Sequence, residues 1–235
     1  MTSNIIKSIV LFGSAAKKEN DINSDIDLCA IIDDKYNESD TTLLEIKNLT
    51  NNSEIIENTD SIAIYKESSL DKMLDYGSLF LWHLKLEGRV LYGDNYLHKK
   101  FNRLKNFNNH LREIEYIIDI FNNITESQNR IGNIPIFDIS IYFTLLRNAS
   151  ILVSHKANLP RFGRIDCFLV TLNQIDGIPI SLAVYESMLR DKLKYERGIE
   201  NLKSSLKFNQ NFKNDIYATL LKIKEYIEKQ NSNNI

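Results

Sequence analysis

The sequence predicts an α+β fold: a small mixed sheet with its helices up to about residue 94, then an all-α helical bundle to residue 235. Three observations predict it. In the first part, short β-branched runs alternate with segments of helical spacing. Beyond Gly93 the segments become long and amphipathic, with apolar residues at three- and four-residue intervals, as in Ile114, Ile117, Ile118 and Phe121. Pro135, Pro160 and Pro179 all fall between those helical segments, where a missing N–H does least harm.

The elements follow in order. Asn4 to Phe12 (NIIKSIVLF) reads as a strand that stops at Gly13, and Asp25 to Ile32 (DIDLCAII) as a second. Asp40 to Leu49 is helical, with Ser39 or Asp40 as its cap. Ser61 to Tyr65 (SIAIY) is a third, short strand. Leu70 to Tyr76 and Leu79 to Leu86 are short helices broken at Gly77, and Gly88 to Tyr92 adds a last strand. Helices are then expected over Tyr96 to Asn122, Phe137 to Lys156, Ser181 to Leu206 and Asn211 to Lys229. The domains are therefore 1–94 and 95–235.

Composition narrows the class. With 43% hydrophobic and 26% charged residues the chain reads as an ordinary globular protein. No apolar run looks long enough to span a bilayer, and no signal peptide is legible, so a cytoplasmic protein without a membrane partner is expected. Cys29 and Cys167 are too few and too far apart for a metal site or a disulfide framework, and read as buried thiols. A net charge of -2 argues against an obligate nucleic-acid binder but leaves room for a local basic patch.

The chemistry concentrates in LFGSAAKKENDINSDIDL, Leu11 to Leu28. A strand ends at Gly13-Ser14, and after ten further residues Asp25-Ile26-Asp27 opens the next strand. Residues two apart on a strand share a face, so Asp25 and Asp27 present two carboxylates side by side. Their repulsion is relieved by a hard divalent cation, and magnesium suits one or two carboxylates plus substrate phosphates. Gly13 lets the backbone approach a phosphate, and the Ser14 hydroxyl can donate to it. Lys17 and Lys18 can neutralise the outer phosphates. The combination describes a metal–triphosphate site fit for in-line attack by a hydroxyl on the α-phosphate.

On these residues the sequence resembles the DNA polymerase β-like nucleotidyltransferase superfamily. The form SDIDL (Ser24 to Leu28) is similar to the minimal and antibiotic-modifying branches, and LFLWHLKLEGRVLYG (Leu79 to Gly93) looks like the end of such a domain. The resemblance implies a small mixed sheet, a nucleoside triphosphate substrate, and nucleotide binding by Gly13, Ser14, Lys17 and Ser24. It also implies Mg2+ as cofactor on Asp25 and Asp27. A third carboxylate is common in the family: Asp60, beside SIAIY, is the candidate for metal ligand and general base. Alternatively Ala63 occupies that place and leaves two carboxylates. Lys18 stands where many members have glycine, and the long N-terminal helix of cyclic-dinucleotide synthases is not seen.

Phe137 to Leu169 resembles the HEPN-type helical domains that accompany many such transferases. HEPN ribonucleases space their arginine and histidine more closely than Arg147 and His155, so ribonuclease activity is not expected. By analogy with drug-modifying relatives, Tyr142, Arg147 or Asp166 would line an acceptor cleft. His83, in an apolar run, reads as a packed histidine rather than a base, and Glu87 as a solvated helix end. The basic and aromatic stretch His98 to Arg112 reads first as an amphipathic helix, second as a track for a nucleic-acid strand. The acceptor is expected to be a nucleic acid or partner protein in a toxin or antiviral-defence setting, with a small molecule or a degenerate, merely ATP-binding site as rivals. A homo-oligomer is left open.

Overall fold

The computed structural model describes residues 4–13, 16, 27–50, 61–131, 135–198, 204, 206 and 209–232. The chain divides into two units, Met1–Asn108 and Asn109–Ile235.

Among the described residues the first unit is built on four strands: β1 (Ile6–Phe12), β2 (Asp27–Ile32), β3 (Ser61–Lys66) and β4 (Arg89–Tyr92), in the order β3-β2-β1-β4. β1 pairs antiparallel with β2 and with β4, while β2 and β3 are parallel, so the sheet is mixed as expected. Strand alternation sorts the apolar residues onto two faces. Ile9, Leu11, Leu28, Ala30 and Ile32 face α1 (Asp40–Thr50), whose Ile46 is buried among them. Val10, Cys29 and Ile31 face α2 (Glu67–Asp75), α3 (Leu79–Glu87) and α4 (Asp94–Phe101), meeting Leu70, Leu74, Leu81, Leu84 and Leu97. Ser39 caps α1, accepting the Thr42 N–H, and the Asp34 carboxylate accepts the Ser68 N–H in the first turn of α2.

The expected helix from Tyr96 to Asn122 is two helices. α4 ends at Phe101, and α5 (His110–Ile131) begins after a connection that folds back on the first unit. There the Lys105 N–H donates to the Leu74 carbonyl, the Trp82 indole donates to the Lys105 carbonyl, and Phe107 is buried. These tertiary bonds outcompete the helical spacing of the sequence. They also place the division after Asn108, so α4 belongs with the sheet rather than with the bundle.

The second unit contains α5, α6 (Pro135–Lys156), α7 (Asp166–Gln174), α8 (Leu182–Glu196) and α9 (Gln210–Ser232). α7 was not legible in the sequence pattern, and α8 stops short of the expected Leu206. Its end is set by Gly198, whose positive φ of 59° closes a helix at low cost. α6 is the central helix, packed on the other four. Ile139, Tyr142, Phe143, Leu146, Ala149 and Val153 are wholly buried. Contrary to the reading of the sequence, Ile136–Lys156 is long and apolar enough to cross a membrane. Burial on several sides at the centre of a bundle accounts for that composition.

Candidate active site

Two of the expected site residues lie within the described structure, and they are in contact. Asp27 opens β2 and is paired across the sheet with Phe12, the last residue of β1, directly before Gly13. Gly13 has φ +70°, and a Cβ on it would overlap Oδ2 of Asp27. The glycine is thus required twice, by its backbone conformation and by the carboxylate lying against it. The chain end of β1 and the first carboxylate of β2 form one small cradle. Ser14, Lys17, Lys18, Ser24, Asp25 and Asp60 lie outside the described residues.

Asp27 shares its face with Cys29 and Ile31, hence with α2, α3 and α4. The neighbouring parallel strand aligns Asp27 with Ser61, Cys29 with Ala63 and Ile31 with Tyr65. The strand SIAIYK holds no acidic residue, so a third carboxylate would have to come from outside β3. A hard oxygen donor opposite a residue without a side chain suits a divalent cation and its phosphate ligands. Among the described residues no group of three or more His, Cys, Asp and Glu side chains could hold a metal alone.

Four rings extend from the cradle along this face. Phe12 meets Phe80 edge-on at 5.4 Å between centroids and His83 edge-on at 5.9 Å, and Phe80 lies 5.7 Å from Tyr65. His83 is packed, as its apolar neighbours suggested, with Nε2 3.4 Å from Glu87 Oε2. Glu87 is correspondingly not a solvated helix end: its side chain is 12% exposed. The sequence pattern hid this cluster because it unites β1, β3 and α3. Cys29 and Cys167 are both buried, and burial pushes the Cys29 thiol up to about 12 and the Cys167 thiol to about 11, far from a reactive thiolate.

Three cations of the basic and aromatic stretch are paired within the first unit. Lys100 pairs with Glu67 at 2.9 Å and Asp71 at 2.8 Å, Arg103 with Asp71 at 3.2 Å, and Lys105 with Asp75 at 3.3 Å. The three carboxylates sit four residues apart on α2, so one helix face answers the cations of α4 and its connection.

In the second unit the residues expected to line a cleft do other work. Tyr142 is wholly buried and donates to Gln128 Oε1 at 3.0 Å, which ties α6 to α5. Arg147 donates through Nη2 to the Phe162 carbonyl at 2.8 Å, and Tyr185 to the Arg164 carbonyl at 2.9 Å. Both hold the connection between α6 and α7. Asp166 stands in the first turn of α7, where a negative charge complements the helix dipole.

Residues 2–71 match the model of a family described as nucleotidyltransferase domain. The matched segment contains β1, the whole Gly13 to Asp27 stretch and β3, and ends within α2. It does not reach the helical unit. No curated protein matches the chain. Nucleotidyltransferase domains take a nucleoside triphosphate and generally use a divalent metal. The cradle of Gly13 and Asp27 on a mixed sheet, within the matched segment, makes the first unit a nucleotidyltransferase domain of the DNA polymerase β-like superfamily, and the chain a nucleotidyltransferase enzyme.

Proposed function

We propose that the chain transfers a nucleoside monophosphate from a nucleoside triphosphate to an acceptor hydroxyl, with magnesium held by Asp25 and Asp27 and pyrophosphate leaving. The observation that carries this reading is the contact between Gly13 and the Asp27 carboxylate within the matched segment. Magnesium, when bound, would offset the charge of the phosphates in attack and departure. The residues of the chain do the rest. Asp27 presents oxygen where Gly13 leaves room for it, and Ser14 and Lys17 would hold the outer phosphates as the acceptor hydroxyl approaches in line.

For the acceptor, the paired state of Lys100, Arg103 and Lys105 speaks against a nucleic acid drawn along α4. It favours a protein hydroxyl, in a toxin or antiviral-defence setting, over an oligonucleotide. A second reading, nucleotide binding without transfer, is favoured by one observation: β3 contributes no carboxylate to the face of Asp27.

The test is to incubate the protein with magnesium and each labelled ribo- and deoxynucleoside triphosphate. Each is supplied alone, then with cell protein, total tRNA or an aminoglycoside panel. Label entering protein with the wild type, and not with the Asp25→Ala/Asp27→Ala double variant, is the expected result. Label entering tRNA or a drug would overturn the acceptor. Equal transfer by the double variant would overturn the mechanism, and binding without transfer would favour the second reading.

A further inference from the structure

The connection between α6 and α7 in the second unit carries a basic group unlike Lys100, Arg103 and Lys105 of the first, which carboxylates hold. From Ile139 to Ile165 the chain has no acidic residue, yet it carries Arg147, Lys156, Arg161 and Arg164. Arg147 is occupied inside, on the Phe162 carbonyl. The other three have no carboxylate partner among the described residues: Lys156 donates to Asn231 Oδ1 at 2.7 Å, and Arg161 to the Pro160 carbonyl at 3.1 Å. Arg161 and Arg164 are exposed, and Lys156 is half-buried.

The connection consists of turns and bends, but it is tied down at several points. Asn158 turns it with a φ of 57°, and Phe162 is buried in its middle. The Arg161 N–H donates to the Ser154 hydroxyl at 3.2 Å, and the Arg164 carbonyl accepts from the Tyr185 hydroxyl at 2.9 Å. Ser154 and Tyr185 are both wholly buried. The backbone of each arginine is therefore fixed from the core while its side chain stands in solvent. Ser154 lies two residues before Lys156, so the same bond brings Arg161 beside the end of α6. Cations fixed in this way lose little freedom when an anion arrives. The dipole of α6 accounts for Lys156 in its last turn. It does not account for Arg164, two residues before α7, at the end of a helix where a cation is disfavoured.

The kind of anion follows from what the connection lacks. A single strand needs rings to stack on, and a protein partner needs a well-packed apolar centre. The connection exposes no aromatic ring, and Leu159 is its one exposed large hydrophobic residue. Guanidinium forks match phosphate oxygens, and contacts to a nucleic-acid backbone need only charge held in place. We infer that Arg161 and Arg164, flanked by Lys156, bind the phosphate backbone of a double-stranded nucleic acid without reading its sequence. The surface lies in the second unit and is independent of the acceptor proposed above: the nucleic acid is a partner, with no step of the transfer assigned to it.

Fluorescence anisotropy on the full chain, without nucleotide, tests it. The probes are labelled duplex RNA and duplex DNA of mixed sequence, titrated across salt concentrations. Wild type is expected to bind with a slope of log affinity against log salt of roughly −2 to −3. Arg161→Gln/Arg164→Gln is expected to bind roughly ten-fold or more weakly at low salt, with the slope shallower by about two. Arg161→Lys/Arg164→Lys keeps both charges and is expected to keep the slope. Polyglutamate is expected to compete poorly against the duplex. Binding of one duplex and not the other would uphold the inference and name the source of the phosphates. Absence of binding to either at low salt would overturn it, as would an unchanged slope in the glutamine variant or an equal loss in the lysine variant. Polyglutamate displacing the probe as well as unlabelled duplex does would overturn it in favour of an acidic protein. A single strand binding more tightly than the duplex would overturn it as well.

Discussion

The two units place the polar groups discussed above in different settings. In the first, the two faces of the sheet are closed largely by aliphatic residues, and the Asp27 carboxylate stands at the end of a strand, beside a glycine. In the second, polar side chains lie inside the bundle. Tyr142 bonds Gln128, His110 bonds His155 at 3.0 Å, and Arg147 bonds the chain at Phe162. A group at a strand end can be changed without opening the core behind it. A group inside a bundle leaves a buried partner unsatisfied when it is removed. The first unit is therefore expected to lose activity before stability, and the second stability before activity.

The largest effect tests the first half of that contrast. Asp27→Asn keeps the shape and removes the charge. Turnover of nucleoside triphosphate should fall by ~10²-fold or more, while the melting temperature stays within a few degrees of wild type. A large fall in melting temperature would show that Asp27 also holds the fold. Gly13→Ala comes next. The added Cβ both displaces the Asp27 carboxylate and sits at a positive φ. A cost of about 1 kcal/mol in stability is expected. Turnover should fall by up to ~10²-fold, because an ångström of misplacement at a reacting centre is worth that much.

The second half is tested by Tyr142→Phe. Gln128 Oε1 loses its donor inside the bundle, at a cost of about 1–3 kcal/mol by denaturant unfolding, with ATP affinity unchanged. The His110–His155 pair supplies a pH dependence of the same unit. Burial, then the neighbouring His155 and Lys156, hold His110 down to about 3, and burial likewise lowers His155. Both are neutral when folded and bind protons more readily when unfolded. Their contribution is complete above the unfolded value near 6.5 and is lost as pH falls towards the folded one. Urea unfolding followed on the second unit should show stability falling from pH 7 to pH 4. In His110→Gln that fall should be shallower.

What could be read from the sequence was what local periodicity and spacing encode. β1, β2, β3 and β4 were legible to within two residues, because each is a short apolar run ended by Gly or a charged residue. Gly13 and Asp27 were legible as a pair because a strand end and a strand start bracket a fixed spacer. The contact between them, and the alignment of Phe12 with Asp27, were not, since cross-strand register is a tertiary property. The break after Phe101 was hidden for the same reason: the bonds of Lys105 to Leu74 and Trp82 connect residues far apart in the chain. α7 was overlooked because its nine residues are flanked by a connection that Arg147 and Tyr185 hold from other helices. The basic character of His98 to Arg112 was legible, but its partners on α2 were not.

Those partners give the smallest effect. Lys105 and Asp75 are both more than 60% exposed, so their attraction is screened by solvent and offset by the ordering of two side chains. Lys105→Ala should change stability by no more than about 0.5 kcal/mol. The same variant bears on the acceptor. A lysine that contacted phosphates would, on removal, weaken binding and lower the salt slope by about one counterion. A lysine paired with Asp75 would do neither. Fluorescence anisotropy with labelled tRNA, titrated across salt concentrations, should therefore give the same affinity and slope for wild type and Lys105→Ala. A lowered slope would return the acceptor to nucleic acid and give this stretch a binding role that its ion pairs in the first unit speak against.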